Sequence, residues 1–390
     1  MKYLSKLSIL IIVLIFTLLP RSGFAQENIT STEEPYAGSV LCQPGSFMIY
    51  QDYCLPFGPS EVLTEMAVKG ITLPLRPLPA SKPSPSLNDL KINYAKINLE
   101  AHEPAKIFPS IDAAVEGSNS SRNIAGGELR YVTYNALTVV NGGNYVQIDG
   151  GEWMRASPIA GYTTFQGLEF SRTPDNNFGW IVADTRPRFS PSYQASERDE
   201  VLTRETVVQI YDIVDADNTQ WFMIGLNQWV ERLMIRQVAI NTEPPEGVIG
   251  SRWIEINLYE QTLAVYEENE ILFATMIATG VEPYYTQPGV FQIYDKRETD
   301  TMSGAFEADR SDYYFLQDVP WTMYFDKARA IHGAYWRAWF GYPQTHGCVN
   351  LSVGDSHWVF DWASVGDYVY VWDPTGLTPT DPALYTEGGA

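Results

Sequence analysis

The sequence predicts a mainly β protein, with small β-barrel repeats followed by a larger β-rich domain that carries at least one helix. Three observations predict it. There are 24 Tyr, 17 Phe and 11 Trp against 26 Lys plus Arg, and large rings suit the pleated faces of strands. Apolar and polar residues alternate over short stretches separated by Gly, Asn or Asp turns. A length of 390 residues exceeds one comfortable core and points to two to four domains.

The elements follow in chain order. Lys2 and Lys6 precede an apolar run, Leu7 to Leu19, which ends in Gly23-Phe24-Ala25. That is the layout of a secretory signal over 1–25, with cleavage expected after Ala25; the competing reading is an uncleaved anchor. The run is short for a membrane span, which needs ~20 residues. Export places the protein outside the cytoplasm, at the cell envelope or wall. Residues 26–74 form a small segment. Cys42 and Cys54 lie close together in it and are the natural disulfide pair in an oxidising compartment. A helix is expected there, capped by Ser60 and ended by Gly70. Residues 75–89 belong to a proline-rich stretch and are expected to be an extended linker.

Residues 90–158 and 159–245 look like a diverged repeat. Tyr145-Val-Gln-Ile-Asp-Gly-Gly-Glu-Trp153 returns in outline as Trp221-Phe-Met-Ile-Gly-Leu-Asn-Gln-Trp229. Phe108-Pro-Ser and Phe189-Ser-Pro-Ser lie upstream of the two copies. The pattern resembles bacterial SH3-like modules, small barrels that often accompany cell-wall enzymes, so binding of wall polymer is one role for it. The alternative is a spacer with two similar hairpins. Residues 250–373 form the last domain. Ile254, Ile256 and Leu258 alternate with polar partners, a turn follows at Tyr259–Gln261, and Leu263, Val265 and then Ile271 to Ile277 complete an antiparallel meander. Ser352 with Asp355 three residues on predicts a capped helix, with Trp358, Val359, Trp362 and Ala363 on its buried side. Gly366-Asp367 then turns into a strand at Tyr368–Trp372, and 374–390 is a tail.

A net charge of −21 repels nucleic acid and polyanionic surfaces. It serves solubility and names no substrate. Oligomeric state is not readable.

The third cysteine, Cys348, is the odd thiol of an exported chain, so it is either intermolecular or reactive. It sits in Thr345-His346-Gly347-Cys348-Val349-Asn350, with Ile331-His332-Gly333 upstream. A thiol with a pKa near ~8.5 holds little thiolate at neutral pH. A neighbouring imidazole takes the proton, stays as a cation beside the sulfur, and later returns the proton to a leaving amine. Gly347 lets backbone N–H groups approach a developing oxyanion. A backbone carbonyl beside His332 would orient the base.

These motifs resemble the L,D-transpeptidase catalytic domain, the YkuD domain, whose signature is a histidine, a spacer, then Ser/Thr-His-Gly-Cys-x-Arg/Asn. The resemblance runs over roughly 252–372. It includes Tyr259-Glu-Gln-Thr-Leu263, Thr286-Gln-Pro-Gly289-Val-Phe291-Gln-Ile293 and Gly366-Asp-Tyr-Val-Tyr-Val371. It implies that Cys348 is the nucleophile, His332 the general base and the Gly333 position the source of the orienting carbonyl. It also implies that Thr345, His346 and Gly347 shape the cysteine loop, with Asn350 where many members carry Arg. The implied partners are peptidoglycan stem peptides. The third-residue carbonyl of a tetrapeptide stem is attacked, D-alanine leaves, and an amine of a second stem resolves the thioester as a 3→3 cross-link. Resolution by water would make the enzyme an L,D-carboxypeptidase. No cofactor is implied.

Tyr335 to Tyr342 is aromatic-rich and reads either as a lid that excludes water or as core. Tyr324, Trp336 and Arg337 are candidates for substrate contact, Arg337 through a stem carboxylate. His357 reads as structural and His102 as incidental. No metal site is expected, because His-Gly-Cys spacing suits tetrahedral zinc poorly and no Cys-x-x-Cys or His-Glu-x-x-His partner exists. A papain-like order would place the cysteine before its histidine, and no credible base follows Cys348. The remaining alternative is a wall-binding protein with an inactive catalytic domain.

Overall fold

From Arg252 the chain runs through β1 (Arg252–Asn257), β2 (Thr262–Glu267), β3 (Glu270–Met276), β4 (Gly289–Gln292), β5 (Asp295–Gly304), β6 (Tyr314–Asp326), β7 (Arg329–Gly333), β8 (Val349–Leu351), α1 (Val353–Trp362) and β9 (Tyr368–Trp372). This computed structural model describes residues 77–307, 309–310 and 312–385. The expected signal segment, the Cys42–Cys54 disulfide and the helix after Ser60 lie outside the described residues.

Two seven-stranded sheets carry the fold. The first has the order Ala80–Ser81, Leu168–Phe170, β3, β2, β1, β9, β4. The second has the order β8, β7, β6, Leu129–Thr133, Tyr94–Lys96, Ser157–Pro158, with β5 also paired to β6. The meander β1–β2–β3 is antiparallel throughout, and β9 joins it parallel to β1. Strand periodicity sends Ile254, Ile256, Leu263 and Val265 to one face. There they pack against Met323, Phe325, Ile331 and Val359 of the second sheet and α1. Each such buried aliphatic contributes ~1.5–3 kcal/mol. The turn after β1 is closed by Asn257, whose Oδ1 accepts from the N–H groups of Tyr259 and Glu260 at 3.1 and 3.0 Å. The Ser352 side chain caps α1 by accepting from Asp355 N–H.

The mainly β expectation holds. Among the described sheets none closes into a barrel, so the small-barrel expectation is corrected to open meanders. Ala136–Val140, Gly143–Gln147 and Trp153–Arg155 form one three-stranded sheet, and Asp212–Ala216, Thr219–Gly225 and Gln228–Glu231 form another. Their registers match: Tyr145 faces Arg155 and Gln147 faces Trp153 in the first, as Trp221 faces Glu231 and Met223 faces Trp229 in the second. Three short strands leave too little sheet to curl shut, and each meander instead lies beside its neighbours.

The ranges 90–158 and 250–373 share one sheet. Leu129–Thr133 lies parallel to β6, with Tyr314 opposite Leu129 and Leu316 opposite Tyr131. The proline-rich stretch also differs from a linker. Ala80–Ser81 is an edge strand, a position where flanking prolines are tolerated because the missing N–H faces outward. Pro85–Asn88 forms a 3-10 turn, and its Leu87 carbonyl receives His357 Nδ1 at 3.2 Å. His357 also stacks on Trp321 at 3.8 Å and is structural.

Candidate active site

The strand pair β7–β8 builds the site. The two strands run parallel with Ile331 opposite Val349, His332 opposite Asn350 and Gly333 opposite Leu351. Alternation along a strand puts every second side chain on one face. His332, Asn350 and Cys348, which immediately precedes β8, therefore converge although 331–333 and 345–350 are separated by a loop. One cavity is lined by Cys348, His332, Asn350, Thr345, His346 and Arg337.

The cysteine loop is held from three sides. Thr345 Oγ1 donates to the Cys348 carbonyl at 2.7 Å and accepts the Gly347 N–H at 3.1 Å. Thr286 Oγ1 donates to the Gly347 carbonyl at 2.9 Å. Gly347 has φ 114°, and a Cβ there would lie 2.8 Å from Arg329 Nε, so glycine is required on both counts. Because the Gly347 N–H is engaged by Thr345, this amide is not free for an oxyanion in the resting arrangement.

His332 is 2% exposed. Its Nδ1 lies 3.2 Å from the Gly333 carbonyl and its Nε2 lies 2.9 Å from Asn350 Nδ2. Arg337 Nε donates to Asn350 Oδ1 at 2.6 Å, which turns the Asn350 amide nitrogen towards the imidazole. The network thereby assigns the proton of His332 to Nδ1 and leaves Nε2 as the acceptor. Cys348 Sγ is 3.9 Å from the Ala328 carbonyl.

Burial dominates the electrostatics. It pushes the His332 pKa down to about 4, helped by the Arg337 charge and opposed by the Gly333 carbonyl. It pushes the Cys348 thiol up, against the Ala330 N–H and the charges of Arg329 and Arg337. Both shifts disfavour the charged form of the group in the resting arrangement. The physical reason is the cost of holding a charge where solvent is scarce.

The cover over the thiol comes from the β5–β6 hairpin. Met302, Phe306, Tyr314 and Leu316 line the cavity, and Leu129 completes that wall from the N-terminal half of the chain. The cavity measures about 50 Å³, room for a water or two. Of the aromatic stretch read as lid or core, Tyr335 and Phe340 are fully buried, and Tyr335 stacks on Tyr94 at 3.6 Å. His346 is packed against Phe306 at 4.8 Å and Tyr284 at 4.9 Å, and burial lowers its pKa.

The three substrate-contact candidates separate. Trp336 lines the cavity, its ring 5.7 Å from that of His332. Arg337 is engaged by Asn350 and by Gln344, whose Oε1 and carbonyl accept at 3.1 and 2.7 Å. Tyr324 is not part of the lining and donates to Asp300 Oδ2 at 2.7 Å. Sequence reasoning missed Leu129, Met302, Phe306, Tyr314, Arg329 and the loop-holding role of Thr286. The Thr286-Gln-Pro-Gly run was the one available signal. Among the described residues no group of three or more His, Cys, Asp or Glu side chains is placed to hold a metal.

Residues 251–371 match the YkuD family model, the L,D-transpeptidase catalytic domain. The motif resemblance and this match cover the same stretch of chain. Among solved structures, the chain is similar to an L,D-transpeptidase from Stackebrandtia nassauensis at 26% identity, covering 34% of this chain and 59% of that one, with a TM-score of 0.26. The catalytic domain of the E. faecium L,D-transpeptidase matches at 25% identity over 32% of this chain and 100% of that one, TM-score 0.29. An L,D-transpeptidase from Mycobacterium smegmatis matches at 18% identity over 53% of this chain and 90% of that one, TM-score 0.30. No curated protein matches the chain.

Proposed function

We propose that the protein is an exported peptidoglycan L,D-transpeptidase that forms 3→3 cross-links through an acyl-thioester on Cys348. The observation that carries this reading is that His332 on β7 and Cys348, just ahead of the parallel neighbour β8, line one cavity, with the imidazole oriented by the Gly333 carbonyl. As the thiol sulfur attacks the carbonyl of the third stem residue, its proton passes to His332 Nε2. That nitrogen accepts from Asn350 at rest, so the thiol must share or replace this bond. Collapse of the tetrahedral intermediate breaks the C–N bond, and the imidazolium gives its proton to the departing D-alanine amine. The side-chain amine of a second stem then attacks the thioester, passes a proton to His332, and the C–S bond breaks. The sulfur leaves as thiol when that proton returns.

The second reading is an L,D-carboxypeptidase, in which water resolves the same thioester. The apolar cover from Met302, Phe306 and Leu316 favours the amine, because it excludes water from the intermediate. The tests are intact-mass measurements of adducts with a carbapenem or a tetrapeptide stem. One adduct is expected on the native chain, none on Cys348→Ala, and strongly slowed labelling on His332→Ala. Normal labelling of His332→Ala would assign the base to His346 instead. A native chain that takes no adduct while still binding wall fragments would support the inactive-domain alternative.

A further inference from the structure

We infer that a second cleft, away from Cys348, binds a neutral polysaccharide segment carrying N-acetylated amino sugars. The cleft measures about 960 Å³, at the upper end of the ~300–1,000 Å³ of small-ligand sites. One wall is the Asp215–Gln220 turn of the second meander, the opposite wall holds Trp372 and Thr375 beyond β9, and Tyr259 and Gln237 lie between them. None of these residues lines the Cys348 cavity.

Three features name the ligand class. The first is a pair of rings fixed in advance. The Arg232 guanidinium lies 3.9 Å over the Tyr259 ring and is itself held by Glu260 at 3.1 Å, yet Tyr259 remains 45% exposed. Trp372 is anchored through its indole N–H to Glu255 Oε1 at 3.2 Å. Rigid amphipathic rings in a polar cleft suit the C–H faces of pyranose sugars, since little side-chain freedom is lost on binding.

The second is a side-chain amide that has no protein hydrogen-bond partner and is open to the cleft. Gln237 is 8% exposed. Its backbone N–H donates to Glu260 and its carbonyl accepts from Thr262, but among the described residues its side-chain amide makes no hydrogen bond. Arg232 Nε is likewise buried and unpartnered. A primary amide offers two donors and an acceptor, which complements hydroxyl and acetamido groups. A buried donor such as Arg232 Nε calls for a ligand or water, and the Gln237 amide stands beside it in the cleft.

The third is charge. The lining carries Asp215, Asp217 and Glu260 against one cation, Arg232, which Glu260 already neutralises. Phosphate-bearing or uronic polymers and free stem carboxylates are repelled there. Asn218 and Gln220 at the rim add uncharged donors and acceptors.

The full chain, titrated with a β-linked pentamer of N-acetylglucosamine and followed by calorimetry, tests this. Saturable binding is expected, weakened at least tenfold in Tyr259→Ala and in the exposed rim double variant Asn218→Ala/Gln220→Ala. Carbapenem labelling of Cys348 at the native rate in both variants would show that they are folded. A chain that binds no pentamer, or both variants binding it with native affinity, overturns the inference. So does tighter binding of poly(glycerol phosphate) or of a lysine-rich peptide than of the pentamer. Loss of labelling in the Cys348→Ala chain with pentamer binding intact separates this site from the proposed reaction.

Discussion

Replacing Arg337 disturbs the proposed base without touching it. Arg337 Nε is the donor that holds Asn350 Oδ1, and Asn350 Nδ2 in turn meets His332 Nε2. In Arg337→Ala the Asn350 oxygen is left in a residue only 2% exposed. A buried acceptor that loses its partner costs ~1–3 kcal/mol. The amide relieves this by turning its oxygen towards the imidazole, which favours a proton on Nε2, the nitrogen that must receive one. If that cost is met on the way to acylation, thioester formation slows about 5- to 150-fold. Charge changes as well. Arg337 holds the thiol pKa down and the His332 pKa down, so its removal raises both. Arg337→Lys keeps a positive charge and loses the forked geometry. It should restore the pH profile of thiol alkylation but leave acylation slow. The assay pairs carbapenem acylation, read by mass against time, with iodoacetamide alkylation between pH 5 and 10. Native rates and an unchanged alkylation profile in Arg337→Ala would refute the reasoning.

Further predictions follow from burial and sheet pairing. Alkylation of Cys348 in the native chain should keep rising above pH 9, with no inflection from His332 between pH 5.5 and 7.5, because burial pushes that imidazole down to about 4 and the thiol up; a plateau reached by pH 7 would indicate a preformed thiolate–imidazolium pair. Burial raises the Glu255 carboxyl from 4.5 to about 7, opposed by the Trp372 indole N–H. A raised carboxyl pKa contributes stability that is full below the unfolded pKa and is lost as pH rises through the folded one. Glu255→Gln should therefore be more stable than the native chain at pH 8 by up to about 3 kcal/mol. The gain should shrink as pH falls below 7 and vanish near 4.5, and denaturant melts at pH 5 and 8 that show equal gains would contradict this. The fragment 250–385 alone should fail to give a cooperative melt, because removal of Leu129–Thr133 strips the parallel partner from β6 and Tyr94 from Tyr335.

The local parts of this account were legible in the sequence. Ile254, Ile256 and Leu258 gave the first strand by their period, Ser352 gave the helix start by its cap, and the recurrence of Tyr145–Trp153 at Trp221–Trp229 corresponds to two meanders of matching register. Long-range pairing was not legible. Leu129–Thr133 reaches β6 through a parallel register that no local pattern encodes. Asp295–Gly304 is largely polar and exposed, so it lacks the alternation that marks a half-buried strand. Ala80–Ser81 hides in a proline-rich run. In the site, the residue types and their converging motif could be read, whereas the destination of Arg337 could not. The burial that shifts both pKa values also depends on side chains drawn from distant segments, Leu129 and the β5–β6 hairpin among them.

The central claim is a thioester on Cys348 that an amine of a second stem resolves. Mass analysis of products from a tetrapeptide-containing muropeptide tests it most directly. The account predicts a dimer lighter than two substrates by one D-alanine, formed by the native chain and absent with Cys348→Ser. A tripeptide product without dimer would mean that water resolves the thioester, and dimer formation by Cys348→Ala would contradict the account outright.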